Sequence, residues 1–279
     1  MQQGVRLMGD RGQEDGQASM LVAVDERDLR FVPGAQVSFS AYWRDAHDRA
    51  VRALDTGEQV LLAPLVDFAY VRSCEEASLN PLSEKGFRDY ARRRFRKNEL
   101  WPFAGETADE MLLQMKREQH AWAMAVRCRK VFEAVNAQHP GAEAWAKTYS
   151  AGVVTMLVEE VGRGAAVACG GERSLLALAT KAGDLELGRY AVPVGAVGRQ
   201  TDVLDRDRER FIALLGASLI AASSGVLTLT MGDGGPVQVW TVGRQGLIPS
   251  EHGELILEPN DANGRSATYV PGFALPAPV

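Results

Sequence analysis

The longest stretch of the chain with one consistent helical pattern, residues 107–138, most constrains the fold. It contains neither Gly nor Pro. Thr107 and Glu110 form a capping box, in which each side chain satisfies a backbone N–H group at the start of a helix. Pro140 and Gly141 follow and end the helix. A helix of this length extends roughly 45 Å, so the other elements must pack along it or lie at its ends.

A second helical pattern, over residues 142–161, follows the Pro-Gly turn. Trp145, Tyr149 and Val153 recur at helical spacing and are expected to face inward. Two helices joined by so short a turn form an αα-hairpin. A further amphipathic pattern begins at Ser83, which caps its first turn, so residues 83–161 are predicted to be a helical section.

The composition changes after residue 164, where Val, Leu, Thr and Gly become frequent and strands are the better prediction. A helix is predicted over residues 205–222. The Gly-rich segment 232–235 between two apolar runs is typical of a β-hairpin. Candidate strands cover residues 165–169, 175–179, 185–194, 226–231, 237–242 and 254–257. These segments predict a mainly antiparallel sheet in the C-terminal half.

Residues 19–24 and 29–39 are predicted strands, and Ser40 is the predicted N-cap of a helix over residues 41–54. The two N-terminal strands are candidates to join the C-terminal sheet. The whole pattern is that of an α+β chain. Its predicted sections are 1–82 with strands and a helix, 83–162 with helices, and 163–279 with both. A chain of this length can also fold them as one domain.

Charge and composition limit the environment and the partners. The chain carries a net charge of −5, so only a local patch can bind a polyanion such as nucleic acid. No segment approaches the roughly 18 apolar residues of a membrane span, and no membrane contact is predicted. The three cysteines are widely separated, which suits a reducing compartment, and we expect a cytoplasmic protein.

The strongest local charge lies on the predicted helix that begins at Ser83. Residues 85–97 contain seven basic residues and one acid, which gives a local charge of +6. Two aromatic residues nearby are expected to offer faces on which unpaired bases stack. The predicted nucleic-acid-binding residues are Lys85, Arg88, Arg92, Arg93, Arg94, Arg96, Lys97, Tyr90 and Trp101.

Arg88, Arg92 and Arg96 recur one turn apart, so their guanidinium groups can follow a phosphate backbone with forked contacts. Base edges need a more varied set of side chains, so DNA or RNA is expected to be bound without sequence readout. An Arg-rich helix in an acidic protein is also typical of pairing with its own carboxylates or with an acidic neighbouring subunit. A merely solvated face is a further interpretation, and the sequence leaves all of them open.

The sequence contains no catalytic motif. The four histidines have no partner at metal-ligand spacing, and neither a phosphate-binding loop nor a nucleophile elbow occurs. We therefore expect no metal and no cofactor. We predict a non-catalytic subunit of a larger homo- or hetero-oligomeric assembly that contacts nucleic acid through the basic helix.

Two alternatives to this function belong to other classes. One is a purely structural or interaction protein, for example a virion component or a part of another oligomeric assembly. The other is an enzyme whose acidic active site is assembled from distant segments. The acids available for such a site are Glu159, Glu160, Asp202, Asp205, Asp207, Glu254 and Glu258.

Overall fold

The computed structural model describes residues 17–35, 37–95, 100–165, 174–182, 185–194, 202–230, 237–243, 246–250 and 269–275. The chain is of the α+β class, with a helical middle and an antiparallel sheet in the C-terminal half, as the sequence predicts. It divides into two compact units, Met1–Ala123 and Met124–Val279. The boundary between the two units lies inside the longest helix, whereas the three predicted sections kept that helix within one section.

The N-terminal unit contains a three-stranded sheet and helices that cover it. In chain order its elements are β1 (Gln17–Val22), a 3-10 helix (Asp28–Phe31), α1 (Phe39–Asp55), β2 (Gln59–Pro64), α2 (Asp67–Glu76), α3 (Glu84–Phe95) and β3 (Trp101–Phe103). The sheet order is β1-β2-β3, with β1 parallel to β2 and β3 antiparallel to β2. Helix α1 therefore makes the crossover between two parallel strands, which is the βαβ arrangement.

The predicted second strand, residues 29–39, is wrong. Asp25 accepts hydrogen bonds at Oδ1 from the N–H groups of Arg27 (2.8 Å) and Asp28 (3.0 Å), and this local turn leads into the 3-10 helix instead. The described N-terminal strands form a sheet of their own and do not join the C-terminal sheet. The predicted cap of α1 is also displaced, since Ser38 accepts from the Ala41 N–H group and Ser40 lies within the helix.

The long helix α4 (Ala108–Asn136) confirms the predicted element and its capping box. The Thr107 N–H group donates to Glu110 Oε2 at 2.9 Å, and the Glu110 N–H group donates to Thr107 Oγ1 at 3.4 Å. Asn136 and Glu143 close the turn to α5 (Ala142–Ala165), because the Glu143 N–H group donates to Asn136 Oδ1 at 3.1 Å. Trp145 does not face inward as predicted: it is 40% exposed and stacks on Tyr149.

The C-terminal unit contains β4 (Ser174–Ala182), β5 (Leu185–Val194), α6 (Asp202–Ile220), β6 (Ser224–Thr230), β7 (Val237–Gly243), β8 (Gly246–Pro249) and β9 (Tyr269–Pro271). The described strands pair in the order β5-β4-β6-β7-β8, all antiparallel, and β9 pairs with β7 in parallel. Leu176, Leu178, Leu227 and Leu229 form the buried face of this sheet and pack with Phe211 of α6. Of the predicted strand 165–169, Ala165 is the last residue of α5 and the other residues lie outside the described ones. The predicted strand 254–257 and the predicted turn 232–235 also lie outside them.

Residues 269–271 form β9, which pairs with β7. The next residues pack on Trp240, whose indole N–H group donates to the Phe273 carbonyl at 2.8 Å. The Phe273 ring meets Trp240 edge to face at 5.4 Å between ring centroids.

Among the helices that the structure describes, none is long and apolar enough to cross a bilayer.

Candidate nucleic-acid interface

Helix α3 is fixed to the N-terminal unit by its apolar side. Phe87 and Tyr90 are buried against Tyr70, with ring centroids 6.3 Å and 5.1 Å away. Ser83 caps the helix as predicted, since its Oγ accepts from the Gly86 N–H group at 3.1 Å. A Cβ atom on Gly86 would lie 2.6 Å from the Asn80 carbonyl oxygen, so only glycine allows this close approach. The predicted interface therefore rests on a well-packed helix.

Two of the predicted contact residues lie in the interior. The Arg94 side chain is only 3% exposed, and its guanidinium group lies over the Trp122 ring at 4.0 Å from the centroid. Tyr90 is 6% exposed, and burial raises the pKa of its hydroxyl to about 12. Neither side chain offers a surface to a phosphate or a base, so the interpretation of Arg94 and Tyr90 as contact residues is inconsistent with their burial.

Two further cations pair with acids of the same helix. Arg93 Nη2 contacts Asp89 Oδ2 at 2.5 Å and also donates to the Ser73 carbonyl at 3.3 Å. Arg88 forms an ion pair with Glu84, one turn earlier. Pairing with the protein's own carboxylates was one interpretation of this helix, and for these two arginines the pairing is present. Trp101 lies in β3 and is half-buried against the apolar core of the N-terminal unit.

Three of the predicted cations remain at the surface of α3. Lys85, Arg88 and Arg92 are all exposed. Their spacing of three and four residues places them on one side of the helix, with neighbouring Cβ atoms about 5–6 Å apart. We refer to Lys85, Arg88 and Arg92 as the cation stripe. The predicted residues Arg96 and Lys97 lie outside the described residues.

Of the seven acids considered for an enzyme site, the structure describes the side chains of three: Glu159, Glu160 and Asp207. Asp207 accepts a hydrogen bond from the Tyr190 hydroxyl at 2.6 Å and ties α6 to β5. Glu159 is exposed and Glu160 is half-buried, both on α5. The side chains of Asp202 and Asp205, and all of Glu254 and Glu258, are outside the described set. Within the described residues, no group of three or more His, Cys, Asp or Glu side chains is placed to hold a metal ion.

One unusual acid was missed in the sequence. Asp28 is 2% exposed, and its Oδ2 atom accepts from the Val24 N–H group (3.3 Å) and from Gln119 Nε2 (3.0 Å). Burial, and after it the neighbouring charge of Asp25, raise the pKa of Asp28 to about 6. The sequence signal for this buried acid was the pair Asp25 and Asp28, two acids three residues apart directly after an apolar strand. Gln119 carries no such signal, because its contact with Asp28 spans 91 positions of the sequence.

The described fold and surface define an α+β protein with a row of exposed cations on a firmly packed helix. Comparisons of the chain with protein-family models, with curated proteins and with solved structures found no match. The function is therefore inferred from the side chains themselves.

Proposed function

We propose that the protein is a non-catalytic subunit of a larger assembly and that the cation stripe contacts nucleic acid without reading its sequence. The observation that carries this proposal is the exposure of Lys85, Arg88 and Arg92 on one side of α3. The opposite side of the helix is held in the core by Phe87 and Tyr90. A helix fixed in this way presents its cations at a constant spacing, which reduces the ordering cost of binding.

The chemistry of the stripe suits phosphate groups. A guanidinium group binds phosphate oxygens with forked hydrogen bonds, and a lysine ammonium adds a point charge. Neutralised phosphates release counterions, and this release supplies affinity that does not depend on sequence. The stripe contains no Asn or Gln, the side chains suited to adenine edges. Binding is thus expected to be weak, sensitive to salt and tolerant of sequence.

The ion pair between Glu84 and Arg88 does not remove Arg88 from this role. Both side chains are exposed, and exposed pairs of this kind contribute only about 0.2–1 kcal/mol. An Arg side chain also has more N–H donors than one carboxylate can occupy. A phosphate group can therefore compete with Glu84 or share the guanidinium group with it.

The membership in an assembly is supported by an exposed tryptophan on α5, Trp145, which stacks on the half-buried Tyr149. The Trp145 and Tyr149 rings stack at 6.0 Å between centroids, and Trp145 is 40% exposed. Trp and Tyr are enriched in protein–protein interfaces because they bury a large area at small entropic cost. Light scattering at high protein concentration is expected to detect association that weakens in Trp145→Ala. A compact monomer under all conditions would count against the assembly.

The nucleic-acid contact is tested by the triple variant Lys85→Ala, Arg88→Ala and Arg92→Ala. Binding to short DNA and RNA is measured over a series of salt concentrations. We expect the slope of log affinity against log salt to become less steep by about two to three, since up to three phosphate contacts are lost. The matched control is Arg44→Ala, Arg52→Ala and Arg72→Ala, which removes three exposed cations from α1 and α2.

The control should keep the slope of the parent. If the slope of log affinity against log salt decreases equally in both triple variants, binding depends only on net charge. That result would refute a contact through the stripe. No binding by the parent at low salt would do the same and would leave the stripe as a contact for another protein.

A further inference from the structure

Outside the cation stripe, a single glutamine links three segments of the N-terminal unit. Gln119 of α4 donates through Nε2 to Asp28 Oδ2 at 3.0 Å and to the Leu65 carbonyl at 2.8 Å. Asp28 begins the 3-10 helix that follows β1, and Leu65 comes directly after β2. The Val24 N–H group also donates to Asp28 Oδ2. The Asp28 carboxyl thus adds a polar attachment to α4 to a segment that is also held by the buried side chains of Ala23, Val24, Leu29 and Phe31.

The ionisable groups that face Asp28 do not compensate its charge. Asp25 lies in the same turn, Asp67 begins α2, and the Tyr42 hydroxyl of α1 accepts from the Ala23 N–H group nearby. All three are acids, and Gln119 is neutral. The Asp28 carboxylate therefore accepts two hydrogen bonds but faces no cation, while it remains buried. Such a group is costly in its charged form.

We propose that the contact between Asp28 and Gln119 is a pH-sensitive latch, which holds residues 23–31 in place more firmly while Asp28 is protonated and makes their local opening more frequent when Asp28 ionises. Protonation at Oδ1 leaves Oδ2 as a carbonyl oxygen, so both donated hydrogen bonds persist in the closed form. Ionisation retains them but adds the repulsion of Asp25 and Asp67. Opening of the segment then returns the carboxylate to water.

The direction and size of the effect follow from proton linkage. The pKa of Asp28 is about 6 in the closed form, compared with about 3.9 for an ordinary exposed Asp. The closed form therefore binds the proton more tightly than the open form. The free-energy preference for the closed form that comes from this proton is complete below pH ~4 and is lost as the pH rises through 6. The equilibrium constant for opening should increase by up to about 100-fold over this range.

Amide hydrogen exchange at Ala23 and Val24 measures this opening directly, because both N–H groups are bonded within the latched segment. After correction for the intrinsic exchange rate, protection of both amides in the parent should fall by up to about 100-fold between pH 4.5 and 8. Amides of Leu227 and Leu229, in a different unit, serve as the internal control and should keep constant protection. Constant protection at Ala23 and Val24 would overturn the proposal.

Two substitutions separate the latch from general pH effects. Asp28→Asn imitates the protonated acid and should make protection at Ala23 and Val24 independent of pH. Gln119→Met removes a donor to the ionised carboxylate, so the midpoint of the transition should move to higher pH. An equal pH dependence in Asp28→Asn, or an unchanged midpoint in Gln119→Met, would refute the roles given to these residues.

A measurement on the parent protein covers the case in which these variants do not fold. The carboxyl carbon of Asp28 can be followed by NMR titration in the intact chain. A midpoint near 6 supports the latch, and a midpoint near the ordinary value of about 3.9 overturns it. The latch does not depend on the cation stripe, so the two proposals fail or stand separately.

Discussion

At the residue scale, the arginines of α3 differ in role although they are adjacent in sequence. Arg94 is 3% exposed and lies on Trp122, whereas Arg92 is exposed. We expect Arg94→Ala to lower the free energy of unfolding by about 2 kcal/mol or more, since a desolvated cation–π contact and the packing of the side-chain stem are lost. Arg92→Ala should change it by less than about 0.5 kcal/mol. Urea titration of both variants checks the difference, and similar midpoints would contradict the structural role of Arg94.

A second residue-scale prediction concerns Gly272, which follows β9. A Cβ atom at this position would lie 1.9 Å from Cε2 of Trp240, a rigid ring that is completely buried. Gly272→Ala should therefore destabilise the C-terminal unit by about 1–3 kcal/mol through overpacking. Gly152→Ala is the control, because it lies in α5 with no atom within 4 Å of its Cβ position. It should stabilise the protein by roughly 0.5–1 kcal/mol, as Ala favours helix more than Gly does.

Thermal and urea unfolding of the two glycine variants should shift in opposite directions. A neutral Gly272→Ala variant would mean that the chain end does not pack on Trp240 in solution.

At the scale of elements, the sequence prediction and the structure place the N-cap of α1 at different residues. The sequence indicates Ser40 as the N-cap, but the Ser38 side chain accepts from the Ala41 N–H group at 3.3 Å. Ser38→Ala should lower the free energy of unfolding by about 1 kcal/mol, and Ser40→Ala should lower it by less than about 0.5 kcal/mol. Helicity and urea midpoints of the two variants provide the test. A larger loss in Ser40→Ala would show that α1 begins two residues later.

At the scale of the whole molecule, Asp28 contributes an unusual pH dependence of stability. Its pKa is raised to about 6 in the folded protein, so the native state loses stability as pH rises from about 4 to 6. Asp28→Asn should increase the free energy of unfolding at pH 7.5, by at most about 3 kcal/mol. At pH 4 the variant and the parent should be nearly equal. Urea titrations at both pH values check this, and a variant that is less stable at pH 7.5 would contradict it.

Taking the difference between the two proteins removes the contribution of the remaining carboxyl groups, which titrate in both. Glu110 illustrates why this matters, because hydrogen bonds from the Thr107 side chain and backbone lower its pKa. Its contribution to stability has the opposite sign, since it is present above the unfolded pKa and is lost as the pH falls.

The sequence by itself determined the elements whose signals are local. The capping box of Thr107 and Glu110, the helical spacing across α4 and α5, and the strand pattern of β5, β6 and β7 depend on neighbours a few residues away. It also predicted which helix carries the cations, since charge is read directly from residue types. These features made the α+β class predictable.

Only the tertiary structure decided which side chains of α3 reach the surface, how β1 pairs and what surrounds Asp28. Arg94 and Arg92 have the same chemistry, and their burial differs because α3 turns one of them towards Trp122 of α4. Strand β1 pairs with β2, which lies some forty residues later, and the predicted strand 29–39 between them does not form. Asp28 meets Gln119 across 91 positions of sequence. Contacts of this kind are set by packing between distant segments, on which local periodicity carries no information.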